Sequence, residues 1–376
     1  MPLHSTRGAA SALGFGFAGN TGGPDWSKYA MIPFNTTVTQ TSNQVAFLNV
    51  PANTYDYTVS LYSGSKYLIR MGNYLLIGSQ NGHYEIKDIR TNATTRSLGA
   101  SIDGGSTFDF FKFAEDKFGV LTKESEYLQV ATYKVNANGT VTQIAFNSSV
   151  TTFATQTGYN SPQGAAIVTC DSKGMFQSFS GKVAFSSIYS YSGPTVTAYG
   201  NINVSQDGTT ISLANSTTNG DNFSRPTACS GGLGAAIIYN MDRSSYYIST
   251  GSEYSISGLS GGDGSPGTNF RGCGITLSQA FLTMTYNYEN TALLKRIVSG
   301  SNAATIATLS VSGGSSSFAM QMYGDGAFIA YNTASNVPVY RTYSSQTNVV
   351  SGETTIPLGG NYGINRSGGI SGIYNY

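Results

Sequence analysis

The sequence predicts an all-β fold, a β-propeller of seven four-stranded blades closed by strands from both chain ends and preceded by an extended arm. Three observations predict it. Short apolar or β-branched runs alternate with turns rich in Gly, Asn, Asp and Ser, which is the pattern of antiparallel strands. No segment keeps a 3.6-residue period through three turns, so long amphipathic helices are excluded. One strand-like phrase returns at nearly constant spacing, the signature of a repeat architecture.

That phrase is an apolar strand ending in Tyr-Asn. It occurs as AAIIYN ending at Asn240, FLTMTYN at Asn287, GAFIAYN at Asn332 and SGIYN at Asn375, at intervals of 47, 45 and 43 residues. The clearest unit starts at Phe318 and reads FAMQMY, Gly324-Asp325-Gly326, AFIAYN, PVYRTY, TNVV. Four short antiparallel strands in each unit of roughly 40–50 residues describe a propeller blade. Units are expected near Tyr67, Phe108, Ala165 or Met175, Thr227, Gly274, Phe318 and Tyr362. Runs at 67–70, 74–77, 84–89, 127–135 and 141–146 supply strands. The pairs Asn81-Gly82, Asn138-Gly139, Asp207-Gly208 and Asp325-Gly326 supply hairpin turns.

The last unit has room for two strands, and two strand-like segments, 28–34 and 44–50, precede the first. Two strands from each end are therefore expected to complete one blade, shared between about 28–50 and 362–376. Such closure removes the exposed edges of an incomplete ring. The domain reading is an arm over 1–25 and a propeller over 26–376. A parallel β-helix is the competing fold, with stacked sandwiches third; the hairpin signals favour antiparallel neighbours.

Composition narrows function by exclusion. Of 376 residues only 10% are charged, against about 25% in a typical globular chain, while 46 are Gly, 26 Tyr and 19 Phe. Aromatic content excludes a disordered chain. Twenty basic against nineteen acidic residues leave a net charge of +1. A nucleic-acid partner would require a basic footprint. No apolar run reaches the ~20 residues of a membrane span.

Cys170, Cys229 and Cys273 form no CxxC pair, and their odd number does not suggest a disulfide framework. Cys229 and Cys273, 44 residues apart, are expected in the first strands of two successive units. His4 and His83 are the only histidines, one in the leader and one in an Asn-Gly-His turn. Neither is placed for a catalytic relay. The densest charge cluster, Glu115, Asp116, Glu124 and Glu126 with Lys112, Lys117 and Lys123, reads as a solvated, balanced blade edge. Gly-Gly-Asp-Gly at 261–264 lacks the alternating acidic ligands of a calcium loop. The chain has no phosphate-binding glycine loop ahead of a helix, no Walker lysine and no nucleophile elbow. Neither a catalytic residue, a metal site nor a cofactor is expected.

Tyrosine is the better candidate for recognition. Tyr189/Tyr191, Tyr286/Tyr288 and Tyr374/Tyr376 are Tyr-x-Tyr pairs, whose rings share one face of a strand. The first two pairs are candidate contacts for a glycan or a protein, because Tyr offers large area at low entropy cost. Ordinary packing within a sheet is the alternative for each.

The leader carries a family resemblance. Thr6-Arg7-Gly8-Ala9-Ala10-Ser11-Ala12-Leu13-Gly14-Phe15-Gly16-Phe17 resembles the RGAxSAxGFGF openings of structural proteins of tailed bacteriophages, notably fibres and appendages. Arg7 ahead of an apolar stretch also has the outline of a signal peptide, but Gly14 and Gly16 interrupt it. The resemblance implies a docking arm in which Arg7, Leu13, Phe15 and Phe17 contact the particle, by addition to a neighbour's sheet edge. It implies a non-enzymatic virion protein present in several copies, with tail or capsid proteins as partners. No coiled coil or β-helical shaft follows, which favours a compact appendage over a long fibre. A carbohydrate-binding module for host-surface recognition is the alternative, and a glycan-cleaving enzyme the third.

Overall fold

A computed structural model of the chain describes residues 23–35, 44–62, 64–79, 82–98, 108–124, 127–152, 181–187, 197–219, 223–227, 229–230, 237–240, 246–248, 271–274, 280–287, 291–298, 304–312, 318–358, 363–364 and 372–374. Its strands fall into seven sheets among these residues. The first holds Tyr29–Asn35, Gln44–Asn49 and Thr54–Ser60; the second Ser65–Met71, Tyr74–Ser79, Tyr84–Asp88 and Thr94–Leu98. The third runs Phe108–Ala114, Lys117–Glu124, Tyr127–Val135 and Val141–Thr152. The fourth and fifth show three described strands each: Gly181–Ser187, Thr197–Val204 and Ile211–Asn219, then Phe223–Thr227, Ile237–Asn240 and Tyr246–Ile248. Arg271–Gly274, Ala280–Asn287, Thr291–Val298 and Ala304–Ser310 make the sixth. The seventh contains Phe318–Tyr323, Gly326–Asn332, Pro338–Ser344 and Val349–Val350, with Thr354–Thr355 beside Pro338–Ser344. Consecutive strands within each sheet pair antiparallel, which overturns the β-helix alternative. This is a β-propeller.

Sheet faces explain the sequence pattern. The second strand of a blade packs on both sides, so Gly326–Asn332 is buried at every position and Tyr74–Ser79 at all but the first. Continuous apolar runs are the consequence. The last strand, Thr54–Ser60, lies at the periphery and is mostly exposed. Apolar clusters fill the wedges between neighbours. Phe47, Leu68, Ile77, Phe328 and Tyr340 belong to one cluster joining the first, second and seventh sheets. Ile69, Phe110, Phe118 and Tyr133 join the second to the third. Leu294, Leu309, Ile329 and Tyr331 join the sixth to the seventh.

One turn repeats around the ring. The hairpin joining the last two strands carries a left-handed residue in five sheets: Asn53 (φ 52°), Asn92 (57°), Gly139 (78°), Gly208 (84°) and Asn348 (56°). Asn and Gly tolerate that region where other side chains clash. In four junctions this hairpin also touches the preceding sheet. Asn53 Nδ2 donates to the Thr355 carbonyl (3.2 Å), Asn92 Oδ1 accepts from the Ser60 amide (3.0 Å), and the Gly139 and Gly208 carbonyls accept from the Thr95 and Thr132 hydroxyls (3.2 and 2.7 Å). At the expected Asp325-Gly326 turn the left-handed residue is instead Gly324 (φ 58°). Gly326 is required for another reason: a Cβ there would lie 1.8 Å from the Tyr343 carbonyl oxygen.

Strands from both ends close the ring, but not two from each. The first sheet takes three strands from the N-terminal side and only Gly363–Ile364 from the C-terminal side, paired as Phe34↔Ile364 and Asn35↔Gly363. Thr54–Ser60 occupies the fourth place because the Asn53 turn folds it back on Gln44–Asn49. Gly372–Tyr374 leaves for the second sheet and pairs parallel to Ser65–Met71. Cys229 departs from expectation in the same manner. Cys229–Ser230 lies in the sixth sheet, parallel to Arg271–Gly274, so both cysteines share one sheet. The fifth sheet begins at Phe223, and the sixth at Arg271 rather than Gly274. Ala165, Met175 and Cys170 lie outside the described residues.

Gln321 seals the closing junction. It is fully buried on the first strand of the seventh sheet. Its Oε1 accepts from the Met31 amide (2.9 Å) and its Nε2 donates to the Met31 carbonyl (2.6 Å). A side-chain amide thus does for Met31 what a neighbouring strand would do. Gln321→Leu leaves both backbone groups buried without partners, and the expected loss is on the order of 3 kcal/mol. Urea melts of the variant beside wild type measure it. Gln321→Glu keeps the acceptor, loses the donor and should fall at least as far.

Candidate functional site

None of the residues singled out for recognition has a described side chain. Arg7, Leu13, Phe15, Phe17, Tyr189, Tyr191 and Tyr288 lie outside the described residues, as do His4, Asp263, Glu126 and Tyr376. Tyr286 is described in its backbone only, paired with Ala292 in the sixth sheet.

The structure instead assembles an aromatic platform at the start of the ring. Asp25 caps a short 3-10 turn, Trp26–Lys28, by accepting from the Ser27 amide (3.3 Å) and hydroxyl (2.6 Å). The turn presents Trp26, the only Trp of the chain, to the first sheet. Its ring lies 5.3 Å from Tyr29, 5.4 Å from Phe47 and 5.6 Å from Tyr57, between centroids, in tilted or edge-on contacts. Its Nε1 donates to Asn73 Oδ1 of the second sheet at 3.0 Å. Tyr29 donates its hydroxyl to Asp56 Oδ2 at 2.5 Å. Burial and that carboxylate push the Tyr29 phenol up to about 12, so it remains a donor at neutral pH.

Trp26 and Tyr29 are buried and rigid, Tyr57 is half-buried, and Tyr55 is 44% exposed. Exposed Asp25, Lys28, Thr54 and Asp56 surround them. This chemistry combines flat apolar rings with hydrogen-bonding carboxylates and an ammonium. It contains no nucleophile–base pair. Tyr55-Asp56-Tyr57 has the Tyr-x-Tyr spacing, but a bulge sets Tyr57 opposite Phe47 and Tyr55 opposite Leu48, so the spacing alone does not find the group.

Of the charge cluster expected at a solvated edge, Glu115 and Asp116 are partly exposed, whereas Lys112 lies inside. Lys112 is only 1% exposed and Arg70 7%, measured on side chains. Both reach Glu115: Lys112 Nζ to Oε2 at 3.0 Å, and Arg70 Nη1 to Oε1 at 2.9 Å. The Gly72 amide adds a third donor at 3.3 Å. Burial alone would raise the Glu115 carboxyl; the Lys112 and Arg70 charges overcome it and hold the group at about 2. Lys112 stands between Phe111 and Phe113, a local mark of burial, but its partner Arg70 comes from another sheet and has no mark in the sequence. Asp116 stays outside, paired to Lys117 (2.9 Å) and Lys134 (3.5 Å).

A second network forms behind the Tyr-Asn phrase. Tyr331 donates to Glu353 (2.8 Å) and accepts from Arg341 Nε (2.9 Å), while Arg341 reaches Glu353 at 3.1 Å. His83 packs edge-on against Tyr62 at 4.6 Å, and Tyr62 donates to the His83 carbonyl. Among the described residues no three of His, Cys, Asp and Glu converge as a metal site requires, and no helix is long and apolar enough to cross a membrane.

No protein-family model matches the sequence, and no curated protein does. Solved structures match in fold. KlAtg21, in its complex with the coiled coil of AgAtg16, is 9% identical with a TM-score of 0.51, over 83% of this chain and 92% of that one. The β-propeller domain of Myceliophteria thermophila Cps50 (Swd1) is 10% identical with a TM-score of 0.47, over 84% and 93%. Such likeness bears on the fold alone.

Glu115 makes an acid test of the buried cluster. Its folded pKa lies below the free value of 4.5, so its contribution is fully present above about pH 5 and is lost as pH falls toward 2. Glu115 is 39% exposed, and solvent screening reduces the effect to about 1–2 kcal/mol. Urea midpoints of wild type should drop through that window, and Glu115→Gln should show a shallower slope from a lower starting point at pH 7.

Proposed function

We propose that this protein is a non-enzymatic structural component of a tailed-phage particle, a propeller held by its N-terminal arm to tail or capsid proteins. The leader, Thr6 to Phe17, and the sparsely charged, Tyr- and Gly-rich composition support the reading. The leader motif is the observation that carries it. Among the described residues the ring closes through Gly363–Ile364 and Gln321, and on this reading the leader serves docking. Localisation in the virion in several copies, and seven blades, follow on this reading.

Deleting residues 2–22 should leave the melting temperature unchanged while the protein disappears from purified particles. Normal incorporation of the deletion variant, read by mass spectrometry of particles, would overturn the docking role.

The aromatic platform favours a second reading, recognition of a host-surface glycan. The half-buried Tyr57 ring meets a sugar C–H face while Asp25, Asp56 and Lys28 meet hydroxyls. A glycan array should then yield binders, and Lys28→Ala should weaken them about tenfold without moving the thermal melt. An array blank at millimolar protein would remove this reading and leave the docking role intact.

A further inference from the structure

In the outer hairpin of the third sheet an exposed asparagine precedes a buried glycine. The turn Asn136-Ala137-Asn138-Gly139-Thr140 joins Tyr127–Val135 to Val141–Thr152. Asn before Gly is chemically labile, because glycine has no side chain to shield its backbone nitrogen. That nitrogen gives up its proton and attacks Asn138 Cγ. The bond from Cγ to the side-chain nitrogen breaks, and ammonia leaves with the proton. Water then opens the resulting succinimide ring at one of its two carbonyls. One opening gives aspartate; the other gives isoaspartate, whose main chain runs through the side-chain carbon.

The folded hairpin opposes the first step. The Gly139 amide, which is the nucleophile, donates to the Asn136 carbonyl at 2.9 Å. Asn138 Oδ1 accepts from the Thr140 amide (3.1 Å) and hydroxyl (2.7 Å), so the side-chain amide is held in one orientation. Gly139 is also wedged against the second sheet, where a Cβ would lie 2.7 Å from Thr95 Oγ1 and 2.8 Å from Tyr74 Cε1. Two bonds dock the turn there: Thr95 donates to the Gly139 carbonyl (3.2 Å) and Tyr74 to the Ala137 carbonyl (2.8 Å). Ring closure requires the Asn138–Gly139 peptide to rotate and its N–H to leave Asn136. Docking on Tyr74 and Thr95 resists both movements.

The fourth sheet shows which product the turn accepts. Its hairpin carries Asp207-Gly208 at the corresponding place. Asp207 Oδ1 accepts from the Thr209 amide (3.0 Å) and hydroxyl (2.9 Å), and the Gly208 amide donates to the Ser205 carbonyl at 2.8 Å. Gly208 is wedged in turn against Ile144 and Phe113 of the third sheet. An ordinary aspartate therefore fits such a turn. Isoaspartate lengthens the main chain by one atom just before the wedged glycine, and the glycine carbonyl can no longer meet its hydroxyl.

We propose that Asn138 is a self-modification site gated by the docking of its hairpin on the second sheet. It is protected while the hairpin is docked and loses ammonia once the hairpin opens. Chains that emerge with isoaspartate cannot redock, so the junction between the second and third sheets opens one way only.

The test incubates wild-type protein at neutral pH with and without guanidinium chloride, and peptide mapping localises the gain of one mass unit to residue 138. The unfolded chain should convert at least about tenfold faster than the folded one; equal rates overturn the gate. Tyr74→Phe with Thr95→Ala removes both docking bonds and should speed conversion in the folded state several-fold. An unchanged rate in that variant overturns the part given to docking, and the wild-type comparison decides the gate should the variant not fold. Asn138→Asp should melt within about 3 °C of wild type, and a larger fall overturns the fit of aspartate. Protein refolded after conversion, with its isoaspartate counted by isoaspartyl methyltransferase, should melt lower than Asn138→Asp. Equal melts of those two overturn the one-way step.

Discussion

A ring of sheets holds only if its last face finds its first. The second strands of the second and seventh sheets are buried on both faces, so neither blade is complete without two neighbours, and the junction between Phe318–Tyr323 and Tyr29–Asn35 carries the same burden. It lacks one advantage of the other junctions, because its partners are separated by 290 residues in sequence. Apolar contact alone would permit sliding along the strand. Gln321 fixes the register, since its planar amide matches one residue's N–H and C=O and no other spacing satisfies both groups. The cluster around Phe47, Leu68, Phe328 and Tyr340 then packs in one arrangement.

Charge plays a similar part. The chain has few ionisable residues to place, and two groups of them tie strands together, with buried or half-buried cations on partly exposed carboxylates. One carboxylate, Glu115, serves the cations of two sheets, Arg70 from the second and Lys112 from the third. Isolated, either cation would be costly to bury. Together with the Gly72 amide they define how the two blades meet at that end of their first strands. Within the seventh sheet, Tyr331, Arg341 and Glu353 tie the peripheral return of the chain to the buried second strand.

The platform around Trp26 shows how far a residue pattern reaches. Tyr55-Asp56-Tyr57 has the same alternation as the other Tyr-x-Tyr pairs, yet its two rings differ in exposure because a bulge between Phe47 and Leu48 shifts the register across from them. Alternation predicts which side chains share a face. It does not say which face meets a neighbouring blade, and Tyr29, equally ordinary in sequence, is buried with its phenol on Asp56. Lys112 makes the converse point: grouped with the charges that follow it at Glu115, Asp116 and Lys117, it looks solvated and is not.

Strands, hairpins and their repeat were legible because they are local. Gly139 and Gly208 announce turns, FAMQMY and GAFIAYN announce buried strands, and the Tyr-Asn phrase gives the period. Pairing between distant segments has no such local mark. The phrase GAFIAYN becomes a second strand with Tyr331 in the core, whereas the terminal SGIYN becomes a parallel inner strand beside Tyr67–Ile69. Likewise the sequence indicated that both ends share the closing blade, while the structure assigned three strands to one end and one to the other. The physical reason is order of choice: hairpins are set by turns a few residues long, and the termini can pair only with the edges those hairpins leave open.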